Sequence, residues 1–417
     1  MKEIVNFLIE VNKLKELPRT GLVTWGVKNP VTVADHIFRA AFTFWLLGRK
    51  KSLNIERAIK FALFHDLCEV YAGDLTPLMY YTRKTKRIMK GIRLSNKEKQ
   101  KRANKKFQIE KKSLLKLIKF LKPELKKEVF AYWLSYERSI SREVKLIREF
   151  DRIDALLESF EYIGTDKKIT GTAWWEIVEE IVEDRLVKDF LETMQKKFYG
   201  KAPKNHKRQK ELENILDFLL KAGELKKIGR LYWKLRGVKN PETVSGHIYT
   251  LTLAAWVLAS GRKELSMEKL LKMALCHELS AVYTGDTTPY DKILRENNSK
   301  NKGEILKRML RISKKEKRSI FLKDYREEKK SLEKLTLNLE PQLKREMIQL
   351  WKEYRTKSSP EGRFLSQLNV AAVLFQGLIY EKKYKNFSAA PLWEWAFEVS
   401  DDPLILEFLE VMKQKFY

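Results

Sequence analysis

Histidine is scarce in this 417-residue chain, with five in all, and four of them fall into two spaced pairs. His36 and His65 lie 29 residues apart; His247 and His277 lie 30 apart. His65 is followed at once by Asp66 in "ALFHDLCEVYAGDLTP" (Ala62–Pro77), with Glu69 one turn further on. Imidazole and carboxylate together suit a divalent ion such as Zn, Mn, Fe or Co. Asp151, in "FDRIDALLESFEY", could add a carboxylate from a distant amphipathic helix, although alone it reads as part of an ordinary charged face. Glu69, four residues after His65, is expected on the same side of one continuous helix. A structural salt bridge is the alternative role for it.

The histidine-bearing stretch returns as "ALCHELSAVYTGDTTP" (Ala274–Pro289), with Glu278 at the place of Asp66 and Ala281 at that of Glu69. Other blocks return in the same order. "GVKNPVTVADHIFR" from Gly26 reappears as "GVKNPETVSGHIYT" from Gly237, and "DFLETMQKKFY" from Asp189 as "EFLEVMKQKFY" from Glu407. The long block that starts "EKKSLLKL" at Glu110 reappears as "EKKSLEKL" at Glu328. A preserved order at this spacing means tandem duplication of a whole domain, since solenoid repeats recur every 20–50 residues or so. The expected organisation is a first domain over 1–199, a basic polar linker over 200–211 ("GKAPKNHKRQKE" from Gly200, which holds His206), and a second domain over 212–417.

These residues must be positioned by helices. Pro30 suits a helix start, where a missing N–H costs least. Ile37, Ala40, Ala41, Phe44 and Leu47 then follow helical spacing. A second helix through Ile59, Ala62, Leu63 and Leu67 is expected to stop near Gly73. No strand alternation or hairpin turn stands out, so the fold class is all-α, twice over. Hydrophobic residues at 44% suffice for real cores, and Pro (11) and Gly (17) are sparse. Cys68 and Cys276, the only cysteines, read as reduced core thiols of a cytoplasmic protein. The longest apolar run near residue 40, "AAFTFWLL", is too short to cross a bilayer, so no membrane partner is expected. The net charge of +29 attracts nucleotides or nucleic acids, and it is concentrated: Arg83–Lys106 holds twelve Lys/Arg against the single acid Glu98.

Taken in order, "PRTG", "NPVTVADH", "HDLCEVYAGDLTP" and "FDRIDALLESFEY" resemble the HD-domain phosphohydrolases, in particular their 5′-deoxynucleotidase branch. The resemblance covers nearly all of the first copy apart from the basic insertion. It implies that His36, His65, Asp66 and Asp151 bind one divalent metal ion (Mn, Co, Mg, Fe or Zn), with Asp66 and Glu69 in catalysis and Glu69 as the acid/base. It makes Arg19 the phosphate clamp, Asp74 an acceptor for a sugar hydroxyl or a cap for the next turn, and Trp25 a substitute for a large residue the family often has near that arginine. The second copy resembles the same branch with a damaged motif: His247, His277 and Glu278 remain, Asn369 stands in place of Asp151, Arg230 matches Arg19 and Asp286 matches Asp74.

The expectation is therefore a metal-dependent phosphohydrolase acting on (deoxy)nucleoside 5′-monophosphates. Its second domain should be catalytically dead, kept for packing, for intramolecular pairing with the first, or for ligand sensing. Two alternatives stay open. One is a nucleic-acid-binding protein using its basic surface; the other is a nucleotide sensor without turnover.

Overall fold

The computed structural model describes residues 1–24, 26–75, 95–162, 172–200, 209–288 and 313–417. Trp25, His206, the 83–94 part of the basic segment and most of the 200–211 linker lie outside the described residues. Two compact units result: Asn6–Leu191, and Met1–Val5 together with Glu192–Tyr417. Among the described residues there is no strand, only the isolated bridges Pro18–Thr32 and Gly229–Thr243. The fold is all-α.

In the first unit and at its borders run α1 (Lys2–Val11), α2 (Thr20–Thr24), α3 (Val33–Arg49), α4 (Ile55–Phe64), α5 (Glu69–Ala72), α6 (Asn96–Ile118), α7 (Pro123–Arg138), α8 (Arg142–Phe160), α9 (Thr172–Ile181) and α10 (Arg185–Tyr199). α3 is the central rod: every residue from Val33 to Gly48 is buried, and it packs against α4 and α8. Pro30 lies just ahead of its start. The N-cap is Thr32, whose side chain accepts from the Asp35 amide while Asp35 reaches back, a reciprocal capping box. Phe44 of α3 lies between the His65 ring (6.2 Å) and Phe150 of α8 (6.3 Å), so the helix that carries His36 also packs against the segments bearing the other site residues.

The continuous helix expected through His65 and Glu69 is broken. His65 Nδ1 sits 2.8 Å from the Ala62 carbonyl oxygen, an acceptor the α-helical ladder would otherwise use. Beyond it the chain tightens to i→i−3 bonds, with the Glu69 amide donating to the Asp66 carbonyl at 3.0 Å. At three residues per turn, Glu69 eclipses Asp66 rather than His65. α5 then ends, as expected, at Gly73, whose φ of 75° and ψ of 164° belong to a region essentially reserved for glycine.

The second copy repeats this order: α11 (Gln209–Ala222), α12 (Leu231–Leu235), α13 (Val244–Ala259), α14 (Met267–Cys276), α15 (Ala281–Thr284), α16 (Lys314–Leu335), α17 (Pro341–Thr356), α18 (Pro360–Lys383), α19 (Ala390–Val399) and α20 (Pro403–Phe416). α13 is fully buried and packs on α14 and α18. His277 ends α14 as His65 ends α4, its Nδ1 2.7 Å from the Ala274 carbonyl oxygen. Gly285 takes the conformation of Gly73 (φ 73°, ψ 175°).

Candidate metal centre

Four side chains of the first copy converge from three segments. α3 contributes His36, the turn after α4 contributes His65 and Asp66, and α8 contributes Asp151. His36 Nε2 lies 3.1 Å from Asp151 Oδ1 and 3.8 Å from Asp66 Oδ2. His65 Nε2 lies 3.2 Å from Asp66 Oδ2 and 3.5 Å from Asp151 Oδ1. Each imidazole has its Nδ1 occupied elsewhere: His65 on the Ala62 carbonyl, His36 on Asp154 Oδ2 at 3.0 Å. Both Nε2 atoms therefore face two carboxylate oxygens, and His65 Nε2 is buried without a hydrogen-bond partner. Two carboxylates gathered around a hydrogen-bonded His36 Nε2 and an unpartnered His65 Nε2 form a donor set that a cation between them would satisfy. Two imidazoles and two carboxylates fit a divalent transition ion.

The electrostatics agree. Burial weighs against the charge of both imidazoles, and Arg19 adds to this at His36. Hydrogen bonds to Asp151 and Asp154 at His36, and the Asp66 charge at His65, outweigh these and raise both. Burial also opposes ionisation of Asp66 and Asp151. His65 and Arg19 nevertheless hold Asp66 at about 2, and the His36 hydrogen bond together with the adjacent His65 imidazole holds Asp151 well below its ordinary value. Tyr136 of α7 donates its hydroxyl to Asp151 Oδ2 at 2.7 Å, fixing the carboxylate's free oxygen.

Arg19 and the remaining acids border this cluster. Arg19 Nη1 lies 3.5 Å from Asp66 Oδ2 and 3.7 Å from Asp74 Oδ2, and its Nε lies 3.4 Å from Glu158. Asp74 is buried and accepts the Thr20 amide at 2.7 Å, which ties the Gly73 turn to the start of α2. Glu69 is 5% exposed, and its Oε2 is buried without a hydrogen-bond partner. Burial first, then the charges of Asp66 and Asp74, push its carboxyl well above the ordinary carboxylate range.

The second copy assembles the same positions differently. His247, His277 and Glu278 still cluster. His247 Nε2, however, is 2.8 Å from Asn369 Oδ1, an amide oxygen whose partner nitrogen donates to the Tyr354 hydroxyl at 2.8 Å. Glu278 is hydrogen-bonded by Arg230, which also lies 3.4 Å from Asp286. Burial and then Arg230 bring His247 down to about 4; burial also lowers His277. Burial opposes the Glu278 charge as well, but Arg230 and His277 hold it at about 2. The carboxylates that raise the imidazoles in the first copy are missing or already paired.

Comparison with known proteins fits this geometry. The family described as HD domain matches residues 11–194, 222–324 and 315–394. The chain belongs to the HD-domain family. Within it, the chain is similar to the 5′-deoxynucleotidase HDDC2 of Dictyostelium discoideum, at 32% identity over 39% of this chain and 78% of the relative. It is likewise similar to the 5′-deoxynucleotidase HDDC2 of Homo sapiens, at 30% identity over 40% and 69%. The 5′-deoxynucleotidase hdd1 of Schizosaccharomyces pombe is 29% identical over 45% and 86%. The chain is an HD-type enzyme of the 5′-deoxynucleotidase-like branch.

Spacing alone missed the support behind the HD cluster. Asp154, Arg39, Thr43, Glu158 and Tyr136 all touch it or one another, and none was selected from the sequence. Two signals were present. Arg39 is the one charge between Ile37 and Leu47, and the duplicate replaces Arg39 with Thr250 and Asp154 with Ala372.

Proposed function

We propose that the first copy, residues 1–199, hydrolyses deoxynucleoside 5′-monophosphates to nucleoside and phosphate, with His36, His65, Asp66 and Asp151 holding one divalent cation. The second copy, residues 212–417 beyond the 200–211 linker, is proposed not to turn over substrate. One observation carries this reading: two histidine Nε2 atoms and two carboxylate oxygens converge beside Arg19 in the first copy, whereas an amide and an arginine-bound glutamate stand at the corresponding places in the second. The similarity to proteins named 5′-deoxynucleotidases supplies the substrate class.

When bound there, the cation would lower the pKa of a water and draw charge from phosphoryl oxygens. The chain's own groups do the rest. Arg19 offers a guanidinium fork to phosphate oxygens, exchanging its loose contacts of 3.4–3.7 Å with Glu158, Asp66 and Asp74 for charge-assisted bonds. Glu69, kept protonated by burial and its acidic neighbours, is set to give a proton to the leaving sugar oxygen. Asp74, fixed by the Thr20 amide, is placed to accept from a sugar hydroxyl.

The test is phosphate release from a panel of deoxynucleoside and nucleoside mono- and triphosphates with Mn, Co or Mg, alongside Asp66→Ala. Activity on monophosphates that Asp66→Ala abolishes is the expected outcome. Equal activity in the variant would remove the metal assignment, and preference for triphosphates would remove the substrate.

A further inference from the structure

Resting on the metal reading above, we propose that Asp154, clamped by Arg39 and Thr43, is a positioning residue that keeps the proton of His36 on Nδ1 and so presents Nε2 as a metal donor. Asp154 Oδ2 lies 3.0 Å from His36 Nδ1. Its other oxygen accepts Arg39 Nε at 2.8 Å and lies 3.2 Å from the Thr43 hydroxyl. Arg39 Nη2 donates to the Asp154 main-chain carbonyl at 2.9 Å, and Nη1 donates to Glu161. The side chains of His36, Arg39 and Asp154 are all 0% exposed. A carboxylate already gripped by a guanidinium is an acceptor and holds a proton on Nδ1; Nε2 lies 3.1 Å from Asp151 Oδ1, so it is the nitrogen freed for donation when a cation takes the Asp151 side. His36 Nδ1, Asp154 and Glu158 could by spacing hold an ion of their own. Arg39 is already the cation there, 3.9 Å from Glu158 Oε1.

Burying such a network is not a route to stability. Buried ion pairs can often be replaced by packed apolar residues at no loss. The chain contains that replacement. At the places of Arg39, Thr43, Asp154, Glu158 and Glu161 the second copy has Thr250, Ala254, Ala372, Gln376 and Ile379, on the same helices in the same order. His247 Nδ1 there lies 3.8 Å from its acid, Glu242, which arrives from a different position and also accepts from Trp233. The fold persists without the network, and the same copy has lost the Asp151 carboxylate. Orientation of a metal-binding histidine by an outer carboxylate is worth about 10–100-fold in affinity.

The experiment compares full-length wild type, Asp154→Asn and Asp154→Ala at one pH. Co2+ affinity is measured by calorimetry and visible absorption, and the His36 tautomer by 15N NMR of the five histidines. Wild type should show His36 protonated on Nδ1. Asp154→Ala should mix tautomers and bind Co2+ about 10–100-fold more weakly, with Asp154→Asn between, since an amide oxygen still accepts. A folded Asp154→Ala with wild-type affinity and spectrum overturns the proposal. Should that variant not fold, Arg39→Thr, Thr43→Ala, Asp154→Ala, Glu158→Gln and Glu161→Ile together install the second copy's residues. If this composite also fails to fold, the network is structural and the proposal falls. If wild type binds no Co2+, the metal reading fails, and the tautomer comparison still decides the role of Asp154.

Discussion

At the scale of single residues, the two copies act as matched variants. The carboxyl at position 69 is the clearest case. It is buried, pushed well up by burial and by Asp66 and Asp74, and absent as Ala281 from the copy whose metal-side acids are also altered. Glu69→Gln keeps the shape but cannot deliver a proton. Phosphate release should fall by about 10²–10⁴-fold with Co2+ affinity unchanged. A parallel loss of metal affinity would make Glu69 a ligand instead. Residue types and spacing point to His36, His65 and Asp66, whose chemistry lies in their own side chains, whereas Asp151 alone reads as a charged face and Arg19 enters only through the resemblance to the HD-domain family. Asp154 escaped notice because its role depends on which nitrogen of another residue it faces, and that is fixed only when α8 crosses α3.

At the scale of helices, one buried carboxyl recurs with a different partner. Glu110 on α6 pairs with Lys106 at 2.7 Å; its counterpart Glu328 on α16 pairs with Arg355 of α17 at 2.9 Å. Lys106 has become Asp324 and Glu137 has become Arg355, so the cation has moved from one helix to its neighbour. Both glutamates are pushed up to about 7, first by burial, with the paired cation opposing. Burial opposes the Lys106 charge too, yet Glu110 and Glu137 raise that ammonium. The two partners pull in opposite directions because Glu110 is 2% exposed while Lys106 keeps 33% of its side chain in solvent. A carboxyl raised from 4.5 to about 7 favours folding fully below 4.5, and that contribution is lost as pH rises through 7. Glu110→Gln should remove the loss. Urea unfolding of variant and wild type should diverge by about 1–3 kcal/mol between pH 4.5 and 8; parallel curves would contradict the shift. Helix content and order were legible from periodicity, but the break at His65 was not. It depends on an imidazole competing for a backbone carbonyl, and no hydrophobic pattern records that.

At the scale of the molecule, the proposed function assigns the metal chemistry to the first copy alone. Two carboxylates, Asp66 and Asp151, face the imidazole Nε2 atoms in one copy; in the other, Glu278 is held by Arg230 and the neutral amide Asn369 faces His247. The full chain should bind one Co2+ tightly, and His277→Ala should leave that stoichiometry unchanged. At free metal about 100 times Kd, the binding copy should gain about 2.7 kcal/mol. Two unfolding transitions should then separate on metal addition, and two tight sites per chain would refute the division. The two histidine positions also differ in what their supports are made of. His65 and His277 are tied to main-chain carbonyls, which no codon change can delete, whereas the tie on His36 is built from side chains. Drift in an unused copy can therefore dismantle the second kind of support while the first is inherited with the helix end. A histidine that outlives its chemistry is then a fossil of backbone geometry, and its survival says nothing by itself about retained function.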